Sequence, residues 1–428
     1  MTQNIFVVGL DDLNHSTLLK LPNASQYTFH QLLEIDELQG GSASVPELLD
    51  KAQRQLDAFD GSFDAIVGFW DFPVSMMVPI LCKRHGFRSA DLEAVVKCEH
   101  KYWSRLEQQK VIDEYPAFGI LDLTAEPARL PDGVSYPVWI KPIKSYSSEG
   151  AHYVESDEQL QVAQGQERGE VDRVGGPFND VLALLDLPPE IAEVGGSACL
   201  VEEAATGSQV TVEGFSQGGR VEIYGVIDSI SYDGAPSFLR YQYPSRLPTQ
   251  IQDYMADVSR KVVAAVGLTD TTFNIEYFWN AEKQQLRLLE VNARHSQSHA
   301  PLFELVDGVS NHAYMLDMAL DRQPPHLRGE GPFGTAAKWF LRRFSDGVVQ
   351  RMPTAGEIAE LERKLPGTTV HVTVTEGSRL SEGYGEDSYS YVLAEIFLGG
   401  TDESDLEDKY AQCVDALGFR IDDVPEGN

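Results

Sequence analysis

Thr272-Phe-Asn-Ile-Glu276-Tyr-Phe-Trp279, then Asn280-Ala-Glu-Lys-Gln-Gln285, then Leu286-Arg-Leu-Leu-Glu290-Val-Asn292-Ala-Arg294, is the stretch whose reading decides the fold. Two apolar runs flank a polar turn, the pattern of a β-hairpin. Each run carries a carboxylate into hydrophobic surroundings. Side chains alternate faces along a strand, so Glu290 and Asn292 point the same way. A turn centred near Lys283 sets Glu276 opposite or nearly opposite Glu290. Like charges facing each other across a sheet are destabilising. A hard divalent cation removes that conflict, and Mg2+ suits a site of few carboxylates completed by phosphate oxygens. The alternative is an edge hairpin whose glutamates face water.

Composition bounds the answer. At 428 residues the chain is too long for one ordinary core and calls for about three domains. Acidic residues exceed basic ones by 66 to 34, a formal net charge of −32. Such a surface repels phosphate backbones and argues against a nucleic-acid partner. The stretch after Thr401 is the most acidic (Asp402, Glu403, Asp405, Glu407, Asp408), yet acids occur throughout, as on a solvated, salt-adapted surface. Cys82, Cys98, Cys199 and Cys413 stand far apart without metal-ligand spacing, as small buried hydrophobes in a reducing compartment. The start lacks a signal peptide's basic and apolar regions, and the run Met76–Cys82 is too short to span a bilayer. A cytoplasmic protein without membrane partners is expected.

The first ninety residues alternate strand and helix. Ile5–Gly9 and Phe63–Trp70 are short buried strands, Pro46–Phe59 has helical periodicity, and a helix follows Pro73. That order predicts a parallel sheet of βαβ units. Gly9 stands alone, so this part reads as scaffold. A helical segment runs from about Leu92 to Lys110. The strand Tyr136–Pro142 then leads into Ile143-Lys-Ser145-Tyr-Ser147-Ser148-Glu-Gly150. Gly165–Ser197, rich in glycine and charge, reads as a flexible excursion. Strands are expected at Ala198–Ala204, Val210–Glu213, Val221–Ile227, Val370–Val374 and Tyr391–Phe397. A helix at Gln250–Val266 and a short acidic terminal helix complete the pattern.

Lysines number only 13, which makes Lys141 conspicuous at the end of Val-Trp-Ile before a serine loop. Backbone N–H groups and hydroxyls there can cradle phosphate while the ammonium supplies charge. The loop is not a Walker A motif, and a snorkelling strand-end lysine is the plainer alternative. Glu202-Glu203 closes an apolar strand before a turn, where one carboxylate can meet an adenine amino group or simply face solvent. His295-Ser296-Gln-Ser-His299 is dense in polar groups beside the metal strand and can line an acceptor site; buried structural histidines are the alternative. Arg240 can take a substrate carboxylate or remain a surface strand arginine.

Together these pieces resemble the ATP-grasp superfamily of carboxylate–amine ligases, in its amino-acid ligase and biotin-carboxylase-like branches. The resemblance runs from about Cys98 to Leu320. It lies in the ordered series Lys101, Val-Trp-Ile-Lys141-Pro, Leu-Val-Glu202-Glu203-Ala-Ala-x-Gly207, Phe-Asn-Ile-Glu276 and Leu-Leu-Glu290-Val-Asn292-Ala-Arg294. It implies an α/β and α+β fold: an N-terminal α/β domain over 1–95, an ATP-grasp domain over 96–325 with a lid at about 136–207, and a C-terminal α+β cap over 326–428. It further implies that Lys101, Lys141 and the loop residues Ser145, Ser147 and Ser148 meet ATP phosphates. Glu202, Glu203 and Ala205 would then border adenine. Glu276, Glu290 and Asn292 would hold Mg2+, with Mn2+ as a substitute, and Arg294 would steady an acyl phosphate. Many members have a ribose-binding glutamate where this chain has Gln209, which leaves Gln209 a candidate ATP contact. Arg240, His295, Ser296 and His299 are the candidate substrate contacts.

The implied activity joins a carboxylate to an amine through an acyl phosphate, releasing ADP and phosphate, with amino acids or small peptides as substrates. The resemblance admits a homodimer. A biotin-carboxylase-like enzyme using bicarbonate and a non-catalytic nucleotide-binding module are the rivals.

Overall fold

The computed structural model describes residues 2–39, 43–145, 150–324, 328–383 and 390–424. The chain gathers into two compact units, the first of Met1–Tyr224, Leu247–Gln297 and His312–Pro325, the second of Gly225–Arg246, Ser298–Asn311 and His326–Asn428. The C-terminal stretch expected to form a cap therefore shares its unit with two central segments.

The first unit opens with a parallel sheet, Gln3–Val8 lying between Tyr27–Leu32 and Ala65–Val67. Ile5 to Val8 are buried, as a run apolar on both faces requires. The crossover helix Val45–Asp57 begins on a capping box in which Ser44 and Glu47 satisfy each other's backbone N–H groups. It buries Leu48, Leu49, Ala52 and Leu56, the face that helical periodicity predicts. A second helix, Val74–His85, follows the third strand and ends on Gly86 in the left-handed region.

The segment expected as one helix over Leu92–Lys110 is two, Leu92–Glu99 and Lys101–Gln108, broken at His100. His100 is fully buried, and its Nδ1 accepts from the Trp103 N–H at 3.2 Å as the N-cap of the second helix. Its Nε2 must then donate, and it reaches the Gly195 carbonyl at 3.1 Å. Burial drives the imidazolium form away, pushing the pKa down to about 4. This neutral cap fixes the chain direction that delivers Lys101.

An antiparallel sheet comes next, with Cys199–Glu203 between Phe118–Leu121 and Val138–Pro142, and His152–Val154 outside the latter. Gly165–Ser197 is not the flexible excursion its composition implied. Helices Asp157–Glu170, Asp172–Leu182 and Pro189–Val194 cover most of it. Leu160, Ala163, Phe178, Val181 and Leu182 are buried at helical spacing, and that burial outweighs the glycines' poor propensity.

The hairpin lies in the same unit. Thr271–Asn280 pairs antiparallel with Gln285–Asn292 on one side and Ser208–Gln217 on the other. In the second unit, Thr335–Arg343 lies between Phe238–Tyr243 and Tyr391–Gly400, and Thr368–Val372 adds outside the last. Ala337, Trp339, Ala394, Ile396 and Leu398 of that sheet pack with Leu406, Cys413 and Leu417 of the helix Glu403–Leu417. All four cysteines are buried and free. No helix among the described residues is long and apolar enough to cross a membrane.

Candidate active site

The hairpin register is not that of a simple two-strand ladder. Tyr277 faces Leu288, but Glu276 faces Glu290, so Leu289 is an extra residue on its strand. Without this bulge Glu276 would face Leu289. Bulges re-aim side chains, and this one sets the two carboxylates opposite each other. It also frees the Leu289 carbonyl, which accepts from Arg105 Nη2 at 2.6 Å.

Burial first, then the Glu290 charge, pushes the Glu276 carboxyl up to about 7, against Gln209 and Arg294, which pull it down. Gln209 donates to Glu276 Oε2 at 2.9 Å. Asn292 donates its amide nitrogen to Asn274 Oδ1 at 2.9 Å, which leaves its carbonyl oxygen for a cation. Among the described residues no three acidic, histidine or cysteine side chains gather as a metal cluster. A divalent ion here would thus draw on two carboxylates, one amide oxygen and the oxygens of its ligand, a set that suits Mg2+. The opposed carboxylates fit such an ion because its charge relieves their repulsion.

Lys101 and Arg105 stand one turn apart on one helix face. Lys101 Nζ donates to the Ser145 carbonyl at 3.0 Å and lies 3.4 Å from Glu290 Oε1. Arg105 Nε meets Glu202 Oε1 at 2.5 Å, and Lys141 Nζ meets Glu202 Oε2 at 3.0 Å. Burial opposes ionisation of Glu202, but the two cations prevail and hold its carboxyl down to about 2. Glu202 is thus the buried counter-ion that orients Lys141, not a free acceptor for an adenine amino group. Lys144, one turn of loop beyond Lys141, is buried on Glu99 at 2.6 Å. Glu203 is half-buried and accepts from the Ser135 N–H at 3.1 Å. Ala205 follows at a half-buried position. Gly207, at φ +119°, lies so close to the Trp279 carbonyl that a Cβ would sit 2.3 Å from its oxygen. Only glycine closes that turn. Ser147 and Ser148 lie outside the described residues.

Arg294 follows the metal strand and binds Asp71 Oδ1 through Nε at 2.9 Å and Nη2 at 2.6 Å. Burial alone would lower its pKa, but Asp71 raises it, so the guanidinium stays charged. His295 is fully buried, linked to Thr272 Oγ1 at 3.0 Å and to His312 at 2.9 Å, which in turn meets Asn14 at 3.0 Å. The structure thus assigns His295 to an internal chain rather than a substrate-facing wall. Ser296 donates its backbone N–H to Glu213 at 3.0 Å. In the second unit Arg240 is buried over the Trp339 ring and paired with Glu403 and Glu407, so it is neither exposed nor open to a substrate carboxylate. His299 is buried with its ring edge-on to Tyr241.

The structure therefore brings together Lys101, Lys141, Ser145, Glu202, Gln209, Glu276, Glu290, Asn292 and Arg294 within one unit. Sequence reasoning missed Asp71, Arg105, Lys144 and Asn274. Arg105 had a signal in its one-turn spacing from Lys101, and Asp71 in lying just past the carboxyl end of a parallel strand, where α/β sheets place ligands. The pairing of Lys144 with Glu99 had none.

Residues 134–300 match the family model of the ATP-grasp domain. No curated protein matches the chain. Among solved structures, an L-amino acid ligase from Bacillus licheniformis superposes with a TM-score of 0.72 at 14% identity, covering 99% of both chains. A carboxyaminoimidazole ribonucleotide synthase from Aspergillus clavatus complexed with ATP gives 0.66 at 15% identity, covering 97% of this chain and 98% of that one. A biotin carboxylase from Campylobacter jejuni, in a β,γ-ATP complex, gives 0.64 at 14% identity, covering 99% and 93%. At such identities the likeness is one of fold.

Proposed function

We propose that this chain, which carries an ATP-grasp domain, is an ATP-dependent carboxylate–amine ligase acting on amino acids or small peptides through an acyl phosphate. The observation that carries the reading is the bulge-set pairing of Glu276 with Glu290, followed on the same strand end by the charged Arg294. A pure nucleotide binder has no need of that concentration of charge.

In this reading Lys101 and Lys141 neutralise the polyphosphate, Lys141 being held in place by Glu202. Glu203 to Ala205 border the adenine. Glu276, Glu290 and the Asn292 carbonyl hold Mg2+, which supplies charge neutralisation for phosphoryl transfer. A substrate carboxylate oxygen attacks the γ-phosphorus, the bond to the β-bridging oxygen breaks, and ADP leaves. Arg294 orients that carboxylate and then stabilises negative charge on the acyl oxygen as the amine nitrogen attacks. Phosphate departs with its bonding pair, the nitrogen loses a proton, and the amide remains.

The test replaces the amine with hydroxylamine in the presence of ATP, Mg2+ and a panel of amino acids. A hydroxamate should accumulate with an equal amount of ADP. Stoichiometric AMP and pyrophosphate would overturn the mechanism, and turnover confined to bicarbonate would favour a carboxylase instead.

A further inference from the structure

Asp71 presents a problem that the ligase reading does not solve. Its side chain retains 36% of its surface, whereas Arg294 retains 16%. Both bonds from Arg294 fall on the same oxygen, Oδ1. Oδ2 has no partner among the described residues. An anion left partly open beside a guanidinium and near Lys101 and Lys144 weakens a site meant for a carboxylate and a polyphosphate. Its charge is firm: burial opposes ionisation, but Arg294 and then Lys144 hold the carboxyl below its ordinary value.

The donors of Arg294 are only partly used. Nε and Nη2 serve Asp71, and Nη1 serves the His295 carbonyl at 3.1 Å. Among the described residues, three of its five N–H groups are thus engaged and two remain for a further acceptor. A site that offers free guanidinium donors next to a free carboxylate oxygen matches a ligand with adjacent negative and positive groups. An α-amino acid zwitterion has that arrangement, since its carboxylate and ammonium share one carbon. Charges then alternate from Asp71 to ammonium and from substrate carboxylate to Arg294. A bicarbonate or simple carboxylic acid gains nothing from Oδ2 and is repelled by it.

We propose that Asp71 binds the α-ammonium group of the acid that is activated, and so restricts the first substrate to free amino acids. This rests on the ligase reading and names its substrate class.

The experiment compares the best amino acid of the hydroxylamine panel with its des-amino and N-acetyl analogues, using wild type, Asp71→Asn and Asp71→Glu. Asparagine keeps an acceptor for Arg294 but removes the charge. Wild type should prefer the amino acid over both analogues by at least ~10-fold in kcat/KM. Asp71→Asn should reduce that preference roughly 10- to 100-fold, the loss of one charged hydrogen bond, through KM for the amino acid. Any loss on the des-amino acid, which reports the hold of Asp71 on Arg294, should be at least ~10-fold smaller than the loss on the amino acid, ADP affinity by calorimetry should persist, and Asp71→Glu should restore much of the preference. An equal loss on all three acids would show that Asp71 only positions Arg294. Equal use of the three acids by wild type, which needs no variant to fold, would also overturn the proposal while leaving the ligase reading intact. Failure of every amino acid to yield ADP and hydroxamate would overturn both.

Discussion

Glu276 carries the sharpest consequence at the scale of single residues. Its carboxyl sits at about 7 rather than the ordinary 4.5. A raised carboxylate pKa means that the folded state holds a proton the unfolded state releases. Its stabilising contribution is whole below about pH 4.5 and is lost as pH rises through about 7. Apo protein should therefore lose on the order of 2 kcal/mol between pH 5 and 8 from this group. Thermal unfolding across that range should show the slope in wild type and a flatter one in Glu276→Gln or with saturating Mg2+ and ATP. An unchanged slope in Glu276→Gln would place the titration elsewhere. The partner residue gives a kinetic test. Glu290→Gln should lower turnover by more than ~100-fold without loss of fold, because only the charged ligand is removed. Near-normal Mg2+-dependent activity in that variant would rule out the metal assignment. The residue types at this centre were legible because strand alternation puts Glu290 and Asn292 on one face. The role of Glu202 was not, because Arg105 lies 97 positions away in sequence and no local pattern announces a buried counter-ion.

Elements explain which parts of the fold could be read. The βαβ alternation and the hairpin were legible because period-2 and period-3.6 patterns are local. The Leu289 bulge was not: the turn alone gives a register one residue different, and pairing decides it. Gly165–Ser197 was misread because glycine content spoke louder than the spacing of Phe178, Val181 and Leu182. The same finding sharpens the lid expectation. Segment 136–207 shares an apolar core in which Val138, Ile140, Val154, Leu160 and Val201 join Leu121 and Ala128. It should therefore move as a body and not by local unfolding. Hydrogen exchange with and without ATP should leave that core equally protected while amides near Ser145 to Gly150 slow on binding. Equal exchange at those amides in both states would contradict closure over the phosphates.

For the whole molecule the dominant fact is charge. With 66 acidic and 34 basic residues, most of the surface repels the polyanion that the site is read to bind. The cations that serve the site are different in kind. Lys101 and Lys141 have 13% and 14% exposed side chains, and partly buried charges are screened less than exposed ones. Added salt should therefore weaken the long-range repulsion more than the short-range attraction. At ~0.05 M salt the screening length is between 10 and 30 Å, and near 0.5 M it is only a few ångströms. The association rate of a fluorescent ATP analogue, followed by stopped flow, should rise between those conditions, opposite to the fall expected for a basic nucleotide binder. Thermal stability should rise with it, since screening also relieves self-repulsion of the folded chain. A falling association rate would mean that the local lysines, and not the net charge, govern the encounter. That outcome would leave the acidic composition without a kinetic role at the nucleotide site.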